Sequence, residues 1–570
     1  MPKAAQIFSR RSAQALAVRA PPWLAILLAA ATFAWLVHGL GRGWELTDES
    51  FNLLSALHAD SIRLFFTPSH WVSAWLWRAS GSLTTFRALG LALATASALL
   101  LAWGVLRVAA LAGIAVPRAP IERLAVMASA ASGALLYGSL LSFTPSYNLL
   151  GASGASCAVG LGLLSITCKG RHALALSLLA GIALGITVLC KFSTGLGVAG
   201  LMVCIQAAFA GRQRIKLFEL GAVLVSAMAT LTLAVYWQTG LDEAFRQFRA
   251  GIEIVWFAQG DKTTTGRLLR SASDVGGMLT GAAIAFWGPL ACFVLALRWQ
   301  PKVLGGVGLT WFAILILADD HVAGGMSRYA LQALPLTGAL ALALLACTEQ
   351  WLGNYRAWLL TGLLVVLPFA IALGTWNPLQ IQILTALASW GALLGLLGFS
   401  NHRTSVPAAW VSVVFSAIVL LQVIGSGAQP YRMHPLWEQV EAVSIEALGS
   451  VKVDAKTAAL VRDIQWAARQ CGIAPGTPFL DFYNLPGVAL ILDAVPVDTP
   501  WLLDHSYAAL ALKRADIASL RRAVVAVKLN AQHARPEPAP QLAGFPQGYR
   551  LCGRATAPLD GLPIELWAPD

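Results

Sequence analysis

The sequence predicts a polytopic α-helical membrane protein of about 13 transmembrane helices with a small C-terminal α/β domain on the outer side of the membrane. Three observations carry this. The 570 residues are 57% hydrophobic and 12% charged, with a mean hydropathy of +0.67, far from the balance of a soluble globular chain. Thirteen apolar runs of near-spanning length follow one another as far as residue 424. After Gln429-Pro430 the composition changes to that of a soluble domain with balanced charge.

The runs are 23–40, 86–113, 124–143, 149–168, 173–190, 196–210, 217–237, 276–297, 303–318, 329–346, 358–373, 381–399 and 408–424. Ala29-Ala30-Ala31 offers small residues for cleavage of a signal peptide, but the first run is long and many others follow, so it reads as an uncleaved helix. With the N-terminus inside, every inner turn carries a positive charge: Arg118 and Arg123, Lys169 and Arg171, Arg212, Arg214 and Lys216, Arg298 and Lys302, Arg356, Arg403. Eleven of the fourteen acids before residue 429 then lie outside. The predicted N-terminus is therefore cytoplasmic, and the C-terminal domain is periplasmic if the membrane is a bacterial inner membrane. The net charge of +12 arises from these inner turns, since residues 429–570 hold 13 Lys plus Arg against 14 Asp plus Glu. That distribution excludes a nucleic-acid partner and points to a membrane lipid environment.

The membrane domain, 1–428, has two long outer loops, 41–85 and 238–275. In the first, Ser50–His58 and His70–Arg78 read as interfacial helices, with Trp71, Trp75 and Trp77 near lipid headgroups. In the second, Glu243–Phe257 is amphipathic. In the soluble domain, 429–570, residues 438–448 and 455–469 read as helices, and 478–483, 488–491 and 522–529 as strands. Six of the eight Cys fall in or beside apolar runs; Cys471 and Cys552 lie in the soluble part, where an oxidising compartment permits one disulfide.

The chemistry-bearing stretch is Gly43-Trp44-Glu45-Leu46-Thr47-Asp48-Glu49, at the end of the first run. Acids cost several kcal/mol in hydrocarbon, so at a membrane edge they mark a solvated loop or a site. Cations stand at the same predicted outer level: Lys191 in the apolar turn Leu189-Cys190-Lys191-Phe192, Arg267 and Arg270 three residues apart, and Arg328 after Asp319-Asp320-His321. Each also has a plainer reading. Lys191 suits a lipid phosphate or a snorkelling helix end, Arg267 and Arg270 a phosphate or headgroups, and the 319–328 group a sugar, a metal or internal ion pairs. Tyr147 and Asn148 suit a sugar, or the capping of a helix after Pro145. No His or Cys spacing signals zinc, whereas a Mg or Mn ion on Asp48 and Glu49 would leave little trace.

Asp48-Glu49 after a first span, Thr67-Pro68-Ser69-His70, Gly81-Ser82-Leu83, Phe86-Arg87-Ala88-Leu89, Lys191 to Leu196 and Ser327 to Pro335 together resemble the GT-C superfamily of membrane glycosyltransferases. The nearest branches are the protein O-mannosyltransferases and the bacterial aminoarabinose transferases acting on lipid A. The resemblance covers most of the membrane domain. It implies a GT-C-like fold and transfer, with inversion, of a sugar from a polyprenyl-phosphate donor to an acceptor hydroxyl on a glycan, lipid or protein. It also implies Asp48 as the catalytic base, with Glu49 supporting it or orienting a metal. Lys191, Arg267, Arg270 and Arg328 would then meet the donor phosphate. The rival is a carrier or flippase for lipid-linked sugars, which would place ionisable groups at midspan; the midspans here are nearly free of them.

Overall fold

The structure is a computed structural model and describes residues 2–570 except 66, 211–213, 260–263, 299–300, 319–328, 352, 375–376, 401–405, 504, 514, 530–541 and 543–544. Its helices are α1 (Pro2–Gly39), α2 (Asp48–Leu57), α3 (Ser69–Ser80), α4 (Leu83–Leu111), α5 (Pro120–Leu135), α6 (Tyr147–Thr167), α7 (Gly170–Cys190), α8 (Phe192–Ala210) and α9 (Arg214–Gln238). They continue as α10 (Leu241–Gln259), α11 (Thr264–Ala285), α12 (Trp287–Arg298), α13 (Pro301–Ala318), α14 (Tyr329–Trp351), α15 (Tyr355–Ala372), α16 (Leu379–Gln382), α17 (Ala388–Phe399) and α18 (Val406–Ser426).

All thirteen predicted runs fall on helices. Among the described residues, eight helices are long and apolar enough to cross a membrane, and ten spans result if two bent pairs count as one each. The bends are 74° between α11 and α12, and 64° before α17. The run 124–143 shortens to α5, followed by a 3-10 turn at Leu136–Ser139. Helices pack closely where side chains are smallest. A Cβ on Gly104 of α4 would lie 2.6 Å from the Gly160 carbonyl oxygen of α6, so the two backbones meet across glycines. Trp23, Leu27, Leu217, Val225 and Leu233 stay exposed on α1 and α9, as lipid-facing positions do. Helix α1 packs beside α18, which brings the two ends of the membrane domain together.

The soluble part adds a hairpin, β1 (Glu441–Ile445) and β2 (Gly449–Val453), and a five-stranded sheet of β3 (Pro478–Phe482), β4 (Val495–Pro496), β5 (Val524–Lys528), β6 (Tyr549–Thr556) and β7 (Pro563–Pro569). The sheet order is β4-β3-β5-β7-β6, with β3 parallel to β4 and β5, and β7 antiparallel to both its neighbours. Helices α19 (Ala455–Cys471), α20 (Pro486–Ile491), α21 (His505–Leu512) and α22 (Ile517–Arg521) complete it, and the Cys471–Cys552 disulfide ties α19 to β6.

Three expectations are corrected. Residues 441–445 form a strand, not a helix, because their burial alternates and Gly449, at φ +76°, turns the chain into β2. Residues 488–491 belong to α20, not a strand: Pro486 starts that helix and Gly487 N donates to Leu46 O at 3.0 Å, so the short apolar run is buried against the outer loop. Trp71 and Trp77 are buried and, of the three, only Trp75 is exposed, so the loop 41–85 packs on protein more than on headgroups.

That loop is built into the soluble part. Gly43 N donates to Lys452 O at 2.8 Å, Lys452 N to Gly41 O at 3.1 Å and Leu83 N to Leu448 O at 3.0 Å. Trp44, Leu53, Leu54, Trp77 and Phe86 share one buried apolar cluster with residues of β1, β2, α19 and the sheet. Leu64 and Ala250 join a second cluster on the other side of β3 and β5. Helix α2 is thus clamped between the membrane helices and the sheet.

Candidate active site

The start of α2 is organised by Glu45. Thr47 stands at the N-cap without a side-chain cap bond. Glu45, buried at 2% exposure, supplies it instead. Its Oε1 accepts from Thr47 N at 2.8 Å and from the Thr47 hydroxyl, and its Oε2 from Glu49 N at 2.6 Å. Glu49 Oε2 answers by accepting Glu45 N at 3.1 Å. Burial first, and the Asp48 charge second, push the Glu45 carboxyl up to about 8 against the hydrogen bonds that favour its charge.

Glu49 is equally buried, but is held in the opposite state. Arg87 donates to it in a fork, Nε to Oε1 at 2.8 Å and Nη2 to Oε2 at 2.6 Å, and the Thr144 hydroxyl also donates to Oε1. Burial alone would raise this carboxyl, yet the Arg87 charge and these bonds outweigh it and hold it below the usual range. Arg87 also donates to the carbonyls of Leu40 at 2.8 Å, Arg42 at 3.3 Å and Gly43 at 2.9 Å, so it fastens the turn between α1 and α2.

Asp48, the first residue of α2, is the member of the cluster that reaches solvent, with a third of its side chain exposed. Tyr431 donates its hydroxyl to Oδ2 at 2.6 Å, and Arg432 Nη1 lies 3.4 Å from Oδ1 and 2.5 Å from the Thr47 hydroxyl. Burial and the neighbouring Asp48 charge push the Tyr431 hydroxyl well above its ordinary range, so it stays a donor. The Arg432 guanidinium lies over the Tyr431 ring, 4.8 Å from its centroid.

Asp48, Glu45 and Glu49 line a cavity of about 120 Å³ that runs down between α1 and α18, past Trp35, Leu36 and Val423. Its upper wall is the 138–143 segment, at the break after α5. The cavity joins an apolar stretch along α1 and α18 to a partly exposed carboxylate.

Lys191 stands elsewhere, between α7 and α8, and is 4% exposed. Its Nζ donates to Ile371 O at 2.9 Å and Asn148 Oδ1 at 3.3 Å. The structure therefore brings Lys191 and Asn148 together, and Tyr147 lies within the electrostatic reach of Asp48. Lys191 does not line the Asp48 cavity. Arg267 and Arg270 belong to α11, and Arg270 is exposed. Asp319, Asp320, His321 and Arg328 lie outside the described residues.

Among the described residues no three His, Cys, Asp or Glu side chains converge as a metal site. The carboxylates of the cluster are engaged by Arg87, Thr144, Thr47, Tyr431 and Arg432, a donor set that fits a resident Mg or Mn ion poorly.

No protein-family model and no curated protein matches the chain. Two solved structures resemble it. The crystal structure of ArnT from Cupriavidus metallidurans bound to undecaprenyl phosphate aligns at a TM-score of 0.44 and 15% identity, over 95% of this chain and 97% of that one. The crystal structure of the Archaeoglobus fulgidus oligosaccharyltransferase complex with Zn and sulfate aligns at 0.44 and 11% identity, over 89% of this chain and 68% of that one.

Sequence reasoning did not assign roles to Arg87, Thr144, Tyr431 and Arg432. A signal existed for two of them. Arg87 is a lone charge at the head of a long apolar run, which asks for a partner. Six residues separate Tyr431-Arg432 from the last run, much as seven separate Asp48-Glu49 from the first. Glu45 was visible only as a third acid, and its buried, bonded state depends on the fold.

Proposed function

We propose that this chain is a GT-C-type glycosyltransferase of a bacterial inner membrane, moving a sugar from a polyprenyl-phosphate donor to an acceptor hydroxyl at the outer face. The observation that carries the reading is the half-exposed Asp48 carboxylate, clamped by Tyr431 and Arg432 at the head of a cavity that descends between α1 and α18. In the proposed step the acceptor oxygen attacks the anomeric carbon and its proton passes to Asp48. The bond from that carbon to the phosphate oxygen breaks, polyprenyl phosphate leaves, and the anomeric configuration inverts. Tyr431 and Arg432 hold the carboxylate in line with the acceptor.

The bonding of Glu49 to Arg87 supports a different role for the second acid: it anchors the first turn of α2 and touches no reactant. For the departing phosphate we assign Lys191, whose ammonium has three donors and spends two on Asn148 and Ile371. Arg267, Arg270 and Arg328 are assigned as further phosphate contacts, and Tyr147 and Asn148, with Asp319, Asp320 and His321, as sugar contacts. The positive inner turns and the Cys471–Cys552 disulfide support a soluble domain on the oxidising, outer side.

Asp48→Asn is the test. General-base removal is expected to lower transfer about 10²–10⁴-fold in folded protein; transfer at the parental rate refutes the assignment. Consumption of a polyprenyl-phosphate sugar by the purified protein in detergent separates an enzyme from a carrier, which forms no product without two compartments.

A further inference from the structure

We propose that a second cavity, between the first outer loop and the soluble sheet, is the acceptor site, and that the part of the acceptor it holds is an uncharged, hydroxyl-bearing group such as a glycan unit. This rests on the glycosyltransferase reading above and extends it to the acceptor. The cavity measures about 280 Å³, near the lower end of the roughly 300–1,000 Å³ typical of ligand sites. Trp44, Glu45 and Thr47 form one wall and Tyr483, Asn484 and Lys528 the opposite one.

Position is the first argument. Tyr483-Asn484 follows β3, and Lys528 ends β5, so the second wall is the carboxyl edge of two parallel strands, where open α/β sheets bind ligands. Glu45 lines both this cavity and the membrane-side cavity. Arg432, which also lines it, reaches across Thr47 to Asp48. Segment 45–48 is thus a partition with the base at its edge, a lipid-side chamber on one side and a water-side chamber on the other.

Backbone geometry is the second. Tyr483 and Asn484 take φ of +76° and +70°, left-handed values that cost non-glycine residues about 1–2 kcal/mol each. Both backbone N–H groups donate to Leu502 O, at 2.9 and 3.1 Å, and Asp481 Oδ2 accepts Leu485 N at 3.0 Å. Trp501 Nε1 donates to Asn484 Oδ1. The fold therefore holds a strained polar-aromatic pair against the cavity, the kind of strain that persists where a surface must be preorganised.

Charge balance is the third, and it selects the ligand class. Arg432 is paired with Asp48 at 3.4 Å, and Lys528 with Asp560. Asp454 is occupied in capping α19, accepting Lys456 N and Thr457 N at 3.0 Å each and the Thr457 hydroxyl at 2.6 Å. Burial keeps Glu45 protonated up to about 8. An anionic or cationic acceptor group would have to break one of these pairs, whereas hydroxyls require none broken. Trp44, in the first wall, keeps a buried indole N–H that has no partner among the described residues.

The test is ligand-observed saturation-transfer NMR on the detergent-solubilised full chain. The probes are methyl glycosides of glucose, galactose and mannose, and the 6-phosphates of the same sugars. At least one neutral glycoside is expected to bind, with its phosphate at least tenfold weaker. Leu559→Trp, at an exposed rim position of the cavity, is expected to weaken that binding at least tenfold. Absence of neutral binding, tighter binding of the phosphates, or parental binding by Leu559→Trp overturns the inference. The same titration on Asp48→Asn protein separates the two readings: binding kept while Asp48→Asn transfers normally sinks the base assignment alone, and binding absent while Asp48→Asn is inert sinks the acceptor site alone.

Discussion

Removing the Arg87 side chain, as in Arg87→Met, isolates the role of the second acid. Arg87 and Glu49 are 3% and 4% exposed, so the variant leaves a carboxylate buried with only the Thr144 hydroxyl and Glu45 N as donors. Breaking a buried pair from one side costs about 3–5 kcal/mol, and the carbonyls of Leu40, Arg42 and Gly43 lose their donor as well. The double variant Arg87→Met with Glu49→Gln removes both charges and is expected to recover a large part of that loss. Thermal unfolding in detergent, followed by intrinsic fluorescence, reads both. The pH dependence supplies a second check. Without Arg87, burial raises the Glu49 carboxyl above its unfolded value, so the single variant gains stability relative to the parent as pH falls. A single-variant cost below about 1 kcal/mol, or a double variant as unstable as the two single losses added, refutes the structural assignment. Glu49→Gln with parental stability and abolished transfer would instead make Glu49 catalytic.

Two further outcomes follow from the same geometry. Tyr431→Phe removes a 2.6 Å bond to a carboxylate, worth about 1.5–3 kcal/mol, so the melting temperature is expected to drop and steady-state transfer to fall about 10- to 100-fold in kcat; a parental kcat refutes the clamp. Glu45 binds its proton up to about 8 in the fold and up to its ordinary 4.5 when unfolded, so its contribution to stability is present below 4.5 and is lost as pH rises toward 8. Glu45→Gln is expected to remove that decline, worth about 5 kcal/mol at most, and melting curves at pH 5 and 8 that shift equally in parent and variant contradict it.

What the sequence made legible follows from what each signal depends on. Hydropathy and run length depend on local composition, and all thirteen runs fall on helices. The hairpin at 441–453 and helix α20 depart from the sequence pattern because short amphipathic or apolar stretches take their form from what they pack on, here the 41–85 loop and α19. The acids were visible because charge is rare in this chain, but their division of labour was not. Asp48 and Glu49 are adjacent in sequence, and only the fold sends one to Arg87 and the other to Tyr431 and Arg432, more than 380 residues away. Likewise Lys191 read as a cation without an acid, and the structure supplies Asn148 and a carbonyl in place of one.

The distribution of partners has a consequence for assembly. Every side chain that fixes Glu49 comes from the first four helices and the 144 turn, so the α2 turn is built from the N-terminal part of the membrane domain. The groups that aim Asp48 come from the segment just after α18, the last membrane helix. Packing of α1 on α18 is what carries Tyr431 and Arg432 to Asp48. Arg432 also takes φ +51°, a left-handed value that the surrounding contacts must hold in place. The partners of Asp48 are therefore in place only where α1 packs on α18 and the segment after α18 reaches the start of α2. Residues 45–48 lie where both lines of contact meet, with Glu45 lining the cavity on either side of them.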